Sequence, residues 1–251
     1  MISLISGIAA IATYLGGFMH HLWQLRKDPQ FNPRLLQIVV GVAILLHGLA
    51  MTSLLLVDDG LDLSLLKIVG LIALAINTLV FISGLKKPLH SLYLALMPIS
   101  ALSVLAALTS PSTKAAAQMS ITMQIHVLLS VLAYSLLAIA ALQALLSGYQ
   151  NWQLKHKHQN LLMRTLPPME TMEVLLFEAI WAGWLFLTLS LISGFLFLND
   201  LLGQHLVHKV TFSMVAWSVY AILLWGRHSL GWRGNQAIRW SWAGFIAIFL
   251  G

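Results

Sequence analysis

The most constraining feature of this sequence is a series of eight long apolar segments separated by short polar connections. A helix that crosses a bilayer needs about 20 mainly apolar residues. Because lipid offers the backbone no hydrogen-bond partners, such segments must fold as helices. The segments are predicted at residues 2–23, 35–57, 63–84, 89–108, 121–149, 178–198, 206–226 and 236–251.

The composition supports the same interpretation. Hydrophobic residues make up 59% of the 251 residues and charged residues only 9%, whereas soluble domains carry about 25% charge. We therefore expect an all-α integral membrane protein with about eight transmembrane helices and short loops, forming a single polytopic domain over residues 1–251. No cleavable signal peptide is expected, because the first segment lacks a basic leader and a small-residue cleavage site.

The basic residues predict the orientation of the helices. Eleven of the 14 Lys and Arg residues fall in alternate connections, and only Lys67, Lys114 and Lys209 fall on the other side. The positive-inside rule then places the N-terminus outside. On the inner side, residues 150–177 would form a cytoplasmic loop with an interfacial helix, opened by the proline pair at 167–168. The net charge of +6 follows this topology and does not indicate a nucleic-acid partner.

Several kinds of chemistry are excluded by what the sequence lacks. There are no cysteines, so thiolate metal sites, catalytic thiols and covalent haem attachment are impossible. No phosphate-binding loop, zinc-protease motif, nucleophile elbow or dinucleotide fingerprint is present. We therefore expect a protein that is not an enzyme and that acts within or beside the bilayer.

Two histidines stand at the outward-facing ends of predicted helices. His126 lies about 7 Å below the outer surface at 1.5 Å per residue, and His208 lies in the first turn of the seventh segment. If the fifth and seventh helices pack side by side, the two imidazoles could ligate one haem iron. Lys209 would then meet a propionate, and the cofactor would be a non-covalent haem b.

A second interpretation of these histidines stays open from the residues alone. Both would then be interfacial side chains, hydrogen-bonded to neighbouring carbonyl groups. His205 is a reserve ligand, because it lies three residues before His208 and can share its helical face.

His47 is predicted deep in the second segment, where an imidazole is unfavourable without a partner or a function. It is a candidate cofactor ligand, or else a neutral histidine hydrogen-bonded to Asn77 or to a serine. Asn77 itself is most simply explained by a hydrogen bond between helices.

Five stretches of the sequence resemble a known family. They are Gln-Ile-His-Val-Leu-Leu-Ser-Val-Leu-Ala-Tyr at 124–134, Leu-Pro-Pro-Met-Glu-Thr-Met-Glu-Val-Leu-Leu-Phe at 166–177, Leu-Thr-Leu-Ser-Leu-Ile-Ser-Gly at 187–194, His-Lys-Val-Thr-Phe-Ser-Met-Val-Ala-Trp at 208–217 and Gly-Trp-Arg-Gly at 231–234. Together they resemble the cytochrome c assembly membrane family of CcsA- and CcmC-type haem handlers, and most nearly its YpjD- or HemX-like branch. The delivery members' tryptophan-rich element is absent here.

The resemblance implies a multi-pass protein of the bacterial cytoplasmic (inner) membrane that binds or passes haem. His126 matches the family's outer-face histidine, and His47 matches one embedded in the membrane only loosely. The partners implied are haem, the lipid bilayer and proteins of cytochrome maturation or haem synthesis.

Two other functions remain open at this point. One is an accessory protein of ion transport or efflux, in which His47, Lys67 and Asn77 line a polar path. Its weakness is that no segment carries an embedded carboxylate. The other is a haem-pathway regulator whose basic segment 151–164 docks a cytoplasmic partner.

Overall fold

The computed structural model describes residues 1–27, 33–57, 60–111, 120–157, 163, 166–197 and 207–251. In these ranges the chain forms eight α-helices, one pair of antiparallel strands of two residues each, and one 3-10 turn. The helices are α1 (Ile2–Lys27), α2 (Pro33–Leu55), α3 (Leu65–Gly84), α4 (Tyr93–Thr109), α5 (Ile121–Lys155), α6 (Met169–Phe197), α7 (Val207–Leu230) and α8 (Asn235–Leu250). The strands are β1 (Leu56–Val57) and β2 (Gly60–Leu61), which pair antiparallel, and the 3-10 turn is His90–Leu92.

The fold class predicted from the sequence is confirmed. Seven helices, α1 to α7, are long and apolar enough to cross a membrane, with the 3-10 turn included in the fourth span. The eighth, α8, has only 16 residues, as expected from the short last apolar segment. Many apolar side chains point outward, Leu45 and Phe249 among them, which suits helices surrounded by lipid. The orientation of the chain stays a prediction.

The first compact unit, Met1–Met119, is a ring of four helices. In it α1 packs against α2, α2 against α3, α3 against α4, and α4 returns to α1. Its core includes the fully buried side chains of Tyr14, Met51 and Met97. The unit therefore buries one face of each helix and leaves the other face for lipid.

The second unit, Ser120–Gly251, is a separate ring with the order α5, α6, α7, α8 and back to α5. The sequence analysis pairs α5 with α7 as direct neighbours, but each packs mainly against α6 and α8, so the two lie diagonally across the ring and meet only where both reach a common cavity. Tyr220 on α7 is fully buried and donates to the Ser241 carbonyl of α8 over 3.2 Å. The sequence does not indicate a division into two units, and the single domain 1–251 stays a prediction.

The connection between α5 and α6 is shorter than the sequence indicates. The sequence predicts a loop with its own interfacial helix at 150–177, but α5 continues to Lys155 and α6 already begins at Met169. The helix that follows the proline pair is thus the first part of α6. The reason is that Leu176, Phe177 and Ile180 are all buried in the core of the second unit, so the helix that begins after the prolines continues directly into the membrane-spanning segment.

Candidate functional site

His126 lies in the second turn of α5 and is held by the neighbouring helix α6. Its Nδ1 atom lies 3.1 Å from the carbonyl oxygen of Ser190 and 2.9 Å from Oγ of Ser193. A carbonyl can only accept a hydrogen bond, so Nδ1 carries the proton and donates it. The lone pair of the neutral ring is therefore on Nε2, the arrangement found in metal-binding histidines.

Serines on both helices support this arrangement. Ser193 Oγ donates to the Ser190 carbonyl over 2.8 Å, which leaves its lone pairs to accept from His126. On α5, Ser130 Oγ donates to the His126 carbonyl over 2.8 Å and lies 2.7 Å from Ser190 Oγ. The ring itself is thus held by two groups of α6, while Ser130 joins the α5 backbone at His126 to Ser190.

Gly194 leaves the space that the His126 ring occupies. A Cβ atom at this position would lie 3.2 Å from His126 Cε1, closer than an ordinary van der Waals contact. A larger residue would therefore push the imidazole out of its position.

The imidazole borders a cavity of about 150 Å³ between three helices of the second unit. Helix α7 contributes Lys209, Val210 and Ser213, so α5 and α7 reach the same cavity although they are not direct neighbours. The full lining is His126, Ser130, Tyr134, Leu187, Ser190, Leu191, Gly194, Phe195, Lys209, Val210 and Ser213.

The predicted site residues on α7 are placed differently from one another. Lys209 lines the cavity, and its side chain is exposed. His208, one residue earlier, is exposed and is not among the lining residues. His205 lies outside the described residues.

The geometry fits a haem-binding role in part. The donor set supplies one imidazole with a free Nε2 lone pair and a cation for a propionate. Ligand sites usually measure about 300–1,000 Å³, so a cavity of about 150 Å³ would take only part of a haem, with His126 as the residue that would hold the iron. Among the described residues, no three His, Cys, Asp or Glu side chains are grouped so that they could hold a metal ion. An iron here would therefore depend on the porphyrin for its equatorial ligands.

His47 lies in the first unit and is fully buried. The sequence suggests Asn77 or a serine as its partner, but Nδ1 instead lies 3.3 Å from the Tyr14 hydroxyl of α1. The two rings meet edge to face, with centroids 5.9 Å apart. His47 therefore has the helix-to-helix partner that its depth requires.

The other polar residues of the proposed ion path have partners of their own. Lys67 forms an ion pair with Asp62, and both side chains are buried. Asn77 donates to the Ala73 carbonyl over 2.8 Å and to Ser100 Oγ. Lys67 and the Asn77 amide nitrogen are thus paired within the first unit, while Asn77 Oδ1 has no hydrogen-bond partner among the described residues.

Sequence reasoning missed the residues that orient His126. The stretch 187–194 contributes to the family resemblance, but its pattern assigns no role to Ser190, Ser193 or Gly194. Serines three residues apart followed by glycine lie on one face of a helix, and that spacing was the signal available.

Comparisons with known proteins point to one family. A family profile described as "Cytochrome C assembly protein" matches residues 36–251. Inner membrane protein YpjD of Escherichia coli strain K12 is 32% identical over 213 residues, which cover 83% of this chain and 80% of that protein. Cytochrome c biogenesis protein CcsA of Prochlorococcus marinus strain NATL1A is 35% identical over 83 residues, covering 32% of this chain and 26% of that protein. No solved structure gives a significant match.

Proposed function

This chain belongs to the cytochrome c assembly protein family, and we propose that it binds haem b non-covalently and acts in haem handling or cytochrome c assembly. In this proposal His126 and His208 are the axial ligands, and the site lies at the external face of the bacterial inner membrane. The role is one of binding and transfer, without catalysis of its own. Haem and the proteins of cytochrome maturation or haem synthesis are its partners.

The observation that carries the proposal is the hydrogen bonding of the His126 ring. Nδ1 is engaged by Ser190 and Ser193 of α6, so the tautomer with Nε2 free for iron is favoured before any ligand arrives. Such partners fix the ring and raise the basicity of the ligand nitrogen. The second interpretation, an interfacial histidine bonded to a neighbouring carbonyl, accounts for the contact with Ser190 but gives no role to the cavity at the ring.

The walls of the cavity match the remaining parts of a haem. Leu187, Leu191 and Phe195 of α6 supply apolar surface for the ring, and Lys209 supplies a cation for a propionate. His208 lies in the same first turn of α7 as Lys209. In this proposal His208 is the second ligand. Because it does not line the cavity, the haem would have to extend beyond the cavity to reach it.

The absence of cysteine determines how the cofactor would be held. No thioether bond to haem is possible in a chain with no cysteine, so affinity must come from axial ligation, apolar contact and charge. A ligand held in this way can be released to a partner, which suits a protein that passes haem on.

Haem binding by the purified protein tests the proposal. Full-length protein in detergent would be titrated with hemin and followed by its Soret band. We expect binding by the wild type and a loss of at least tenfold in affinity, which is about 1.4 kcal/mol, for both His126→Ala and His208→Ala. His228→Ala is the matched control, since His228 is exposed at the other end of α7. Wild-type protein without a Soret band would contradict haem binding itself.

The variants separate the two ligands. If His126→Ala loses haem and His208→Ala keeps it unchanged, the bis-histidine assignment is wrong while the site at His126 stands. If His228→Ala loses haem as strongly as His126→Ala, the assignment to this cavity fails.

The alternative functions have less support. In the first unit Lys67 is paired with Asp62 and the Asn77 amide donates to Ser100, whereas Asn77 Oδ1 and His47 Nε2 have no hydrogen-bond partner among the described residues. Two isolated polar atoms do not by themselves favour an ion path. The docking of a regulator through 151–164 stays a prediction, because much of that segment lies outside the described residues.

A further inference from the structure

The cavity beside His126 has an exposed end and a buried end. Lys209, in the first turn of α7, is exposed, whereas Ser213, one turn further along the same helix, is buried. Leu187 of α6 is only 1% exposed. Along α5 the lining extends from His126 to Tyr134, a rise of about 12 Å. A ligand that enters from the surface therefore meets Lys209 first and ends among buried side chains.

Formal charge on the cavity walls is confined to the exposed end. Of the lining residues that the structure describes, Lys209 is the one Lys, Arg, Asp or Glu side chain. It takes part in none of the ion pairs found in the described parts of the chain. A carboxylate on a ligand would therefore meet a cation beside Lys209 and would find no lysine or arginine deeper in the cavity.

Two of the serine hydroxyls on the walls have already used their protons. Ser130 Oγ donates to the His126 carbonyl over 2.8 Å, so the 2.7 Å contact between Ser130 and Ser190 must use the proton of Ser190. Because a hydroxyl has one proton to donate, neither group can serve a further acceptor. The hydroxyls of Tyr134 and Ser213 remain on the walls, and both are uncharged.

The buried end is therefore suited to uncharged substituents of a ligand. Burial of a carboxylate without a cation is strongly unfavourable, whereas apolar groups gain from contact with Leu187, Leu191 and Val210. The substituents of haem b are divided in the same way. Its propionates lie together on one edge of the ring, and the opposite edge carries only vinyl and methyl groups.

We propose that the cavity admits a haem by its vinyl-bearing edge and leaves the propionate edge outside, with one propionate at Lys209. This inference rests on the haem binding proposed above and adds the class of porphyrin that the site accepts. The site selects haems whose carboxylates all lie on one edge and rejects those with a carboxylate on every pyrrole ring. The vinyl groups, at which thioether bonds to cysteine form, stay covered while the haem is bound here, so release precedes any attachment to an apocytochrome.

Comparison of three iron porphyrins with the wild-type protein tests this selection. Full-length protein in detergent is titrated with hemin, with iron mesoporphyrin IX, in which ethyl groups replace the vinyl groups, and with iron coproporphyrin III, which has a propionate on every pyrrole ring. Soret absorbance is the readout. We expect hemin and the mesoporphyrin to bind with similar affinity. The coproporphyrin should bind at least tenfold more weakly, because one of its carboxylates must enter the buried end.

Two variants test the orientation of the ring. Lys209→Gln should weaken the binding of hemin about threefold, the size expected for an exposed ion pair. It should not weaken the binding of hemin dimethyl ester, whose propionates carry no charge. Lys155→Gln is the matched control, an exposed lysine at the other end of α5 that does not line the cavity, and it should bind both ligands as the wild type does.

The outcomes separate this inference from the proposed function. Equal affinity for hemin and the coproporphyrin would contradict the selection, while haem binding itself would stand. An equal loss of hemin and its ester in Lys209→Gln, or the same loss of hemin in Lys155→Gln, would show that no propionate lies at Lys209. Absence of a Soret band with every porphyrin would contradict the proposed function, and this inference with it.

Discussion

Single hydrogen bonds decide whether the His126 ring can serve as a ligand. The Ser190 carbonyl cannot be removed by substitution of a side chain, whereas the Ser193 hydroxyl can. Substitution of Ser193 therefore measures how much the hydrogen bonds to the His126 ring contribute to haem affinity.

We expect Ser193→Ala to weaken haem binding by about tenfold, the low end of the range for losing a residue that hydrogen-bonds a metal ligand, because the Ser190 carbonyl still holds Nδ1. Ser218→Ala is the control, since Ser218 is exposed and bonds only to its own helix at Met214. Hemin titration of both variants is the measurement. Unchanged affinity in Ser193→Ala would show that this hydroxyl does not orient the ring.

Gly194 provides a steric test of the same position. In Gly194→Ala the new Cβ would lie 3.2 Å from His126 Cε1, so the ring must shift by a few tenths of an ångström. We expect a weaker or altered Soret band with little loss of thermal stability. Gly148→Ala is the matched control on α5, where the nearest atom would be 3.7 Å away. Identical spectra for the two variants would contradict a close fit between ring and glycine.

The candidate site could be predicted from the sequence only in part. His126 and Lys209 were recognisable because charge and imidazole are unusual near the end of an apolar helix, and the structure brings both to one cavity. Ser190 and Ser193 could not be recognised in the same way, because the part of α6 after Glu178 carries no charge and its pattern does not show which face meets α5. The Tyr14 partner of His47 was missed because contacts between helices distant in sequence leave no local pattern.

At the scale of the helices, α7 and α8 approach each other closely in the second unit. A Cβ atom at Gly244 would lie 2.7 Å from the ring of Tyr220, which is fully buried and bonded to Ser241. Since an aromatic ring in this position cannot turn aside, a side chain at 244 must separate the helices.

We expect Gly244→Ala to lower the free energy of unfolding by about 1–3 kcal/mol, the usual effect of overpacking. Thermal unfolding in detergent measures this as a lower midpoint than in wild type. Gly16→Ala is the control, because no atom lies within 4 Å of where its Cβ would stand, apart from its chain neighbours and the nearby backbone of its own helix. A midpoint equal to that of the control would show that α7 and α8 are not in close contact here.

The helices themselves were largely predictable, but their boundaries were less so. Length and apolar content are local properties, which is why seven long spans were found correctly. The ends of α5 and α6 differ from the prediction, because the sequence ends the fifth segment at residue 149 and separates the interfacial helix at Glu170 from the sixth segment, whereas α5 continues to Lys155 and α6 already begins at Met169. A helix can extend beyond the lipid. The diagonal placement of α5 and α7 depends on packing and has no signature in either helix alone.

At the scale of the whole molecule, the sequence predicts an orientation that the fold does not test. The alternation of basic connections places Lys86 inside and Pro111 outside, at opposite ends of α4. The lack of native cysteine makes this simple to examine with introduced cysteines.

We expect a membrane-impermeant maleimide to label Pro111→Cys in intact spheroplasts, and to label Lys86→Cys only after permeabilisation. Both positions are exposed at helix ends, so neither should be shielded by packing. The reverse pattern would place the N-terminus inside, and the His126 cavity would then open toward the cytoplasm.

The most direct measurement of the central claim, that His126 ligates haem iron, is chemical rescue. In His126→Gly the imidazole is removed and its space is left open beside Gly194. We predict that this variant loses the Soret band of the wild type with hemin, and that free imidazole restores it. A Soret band in His126→Gly that equals the wild type without imidazole would contradict the claim.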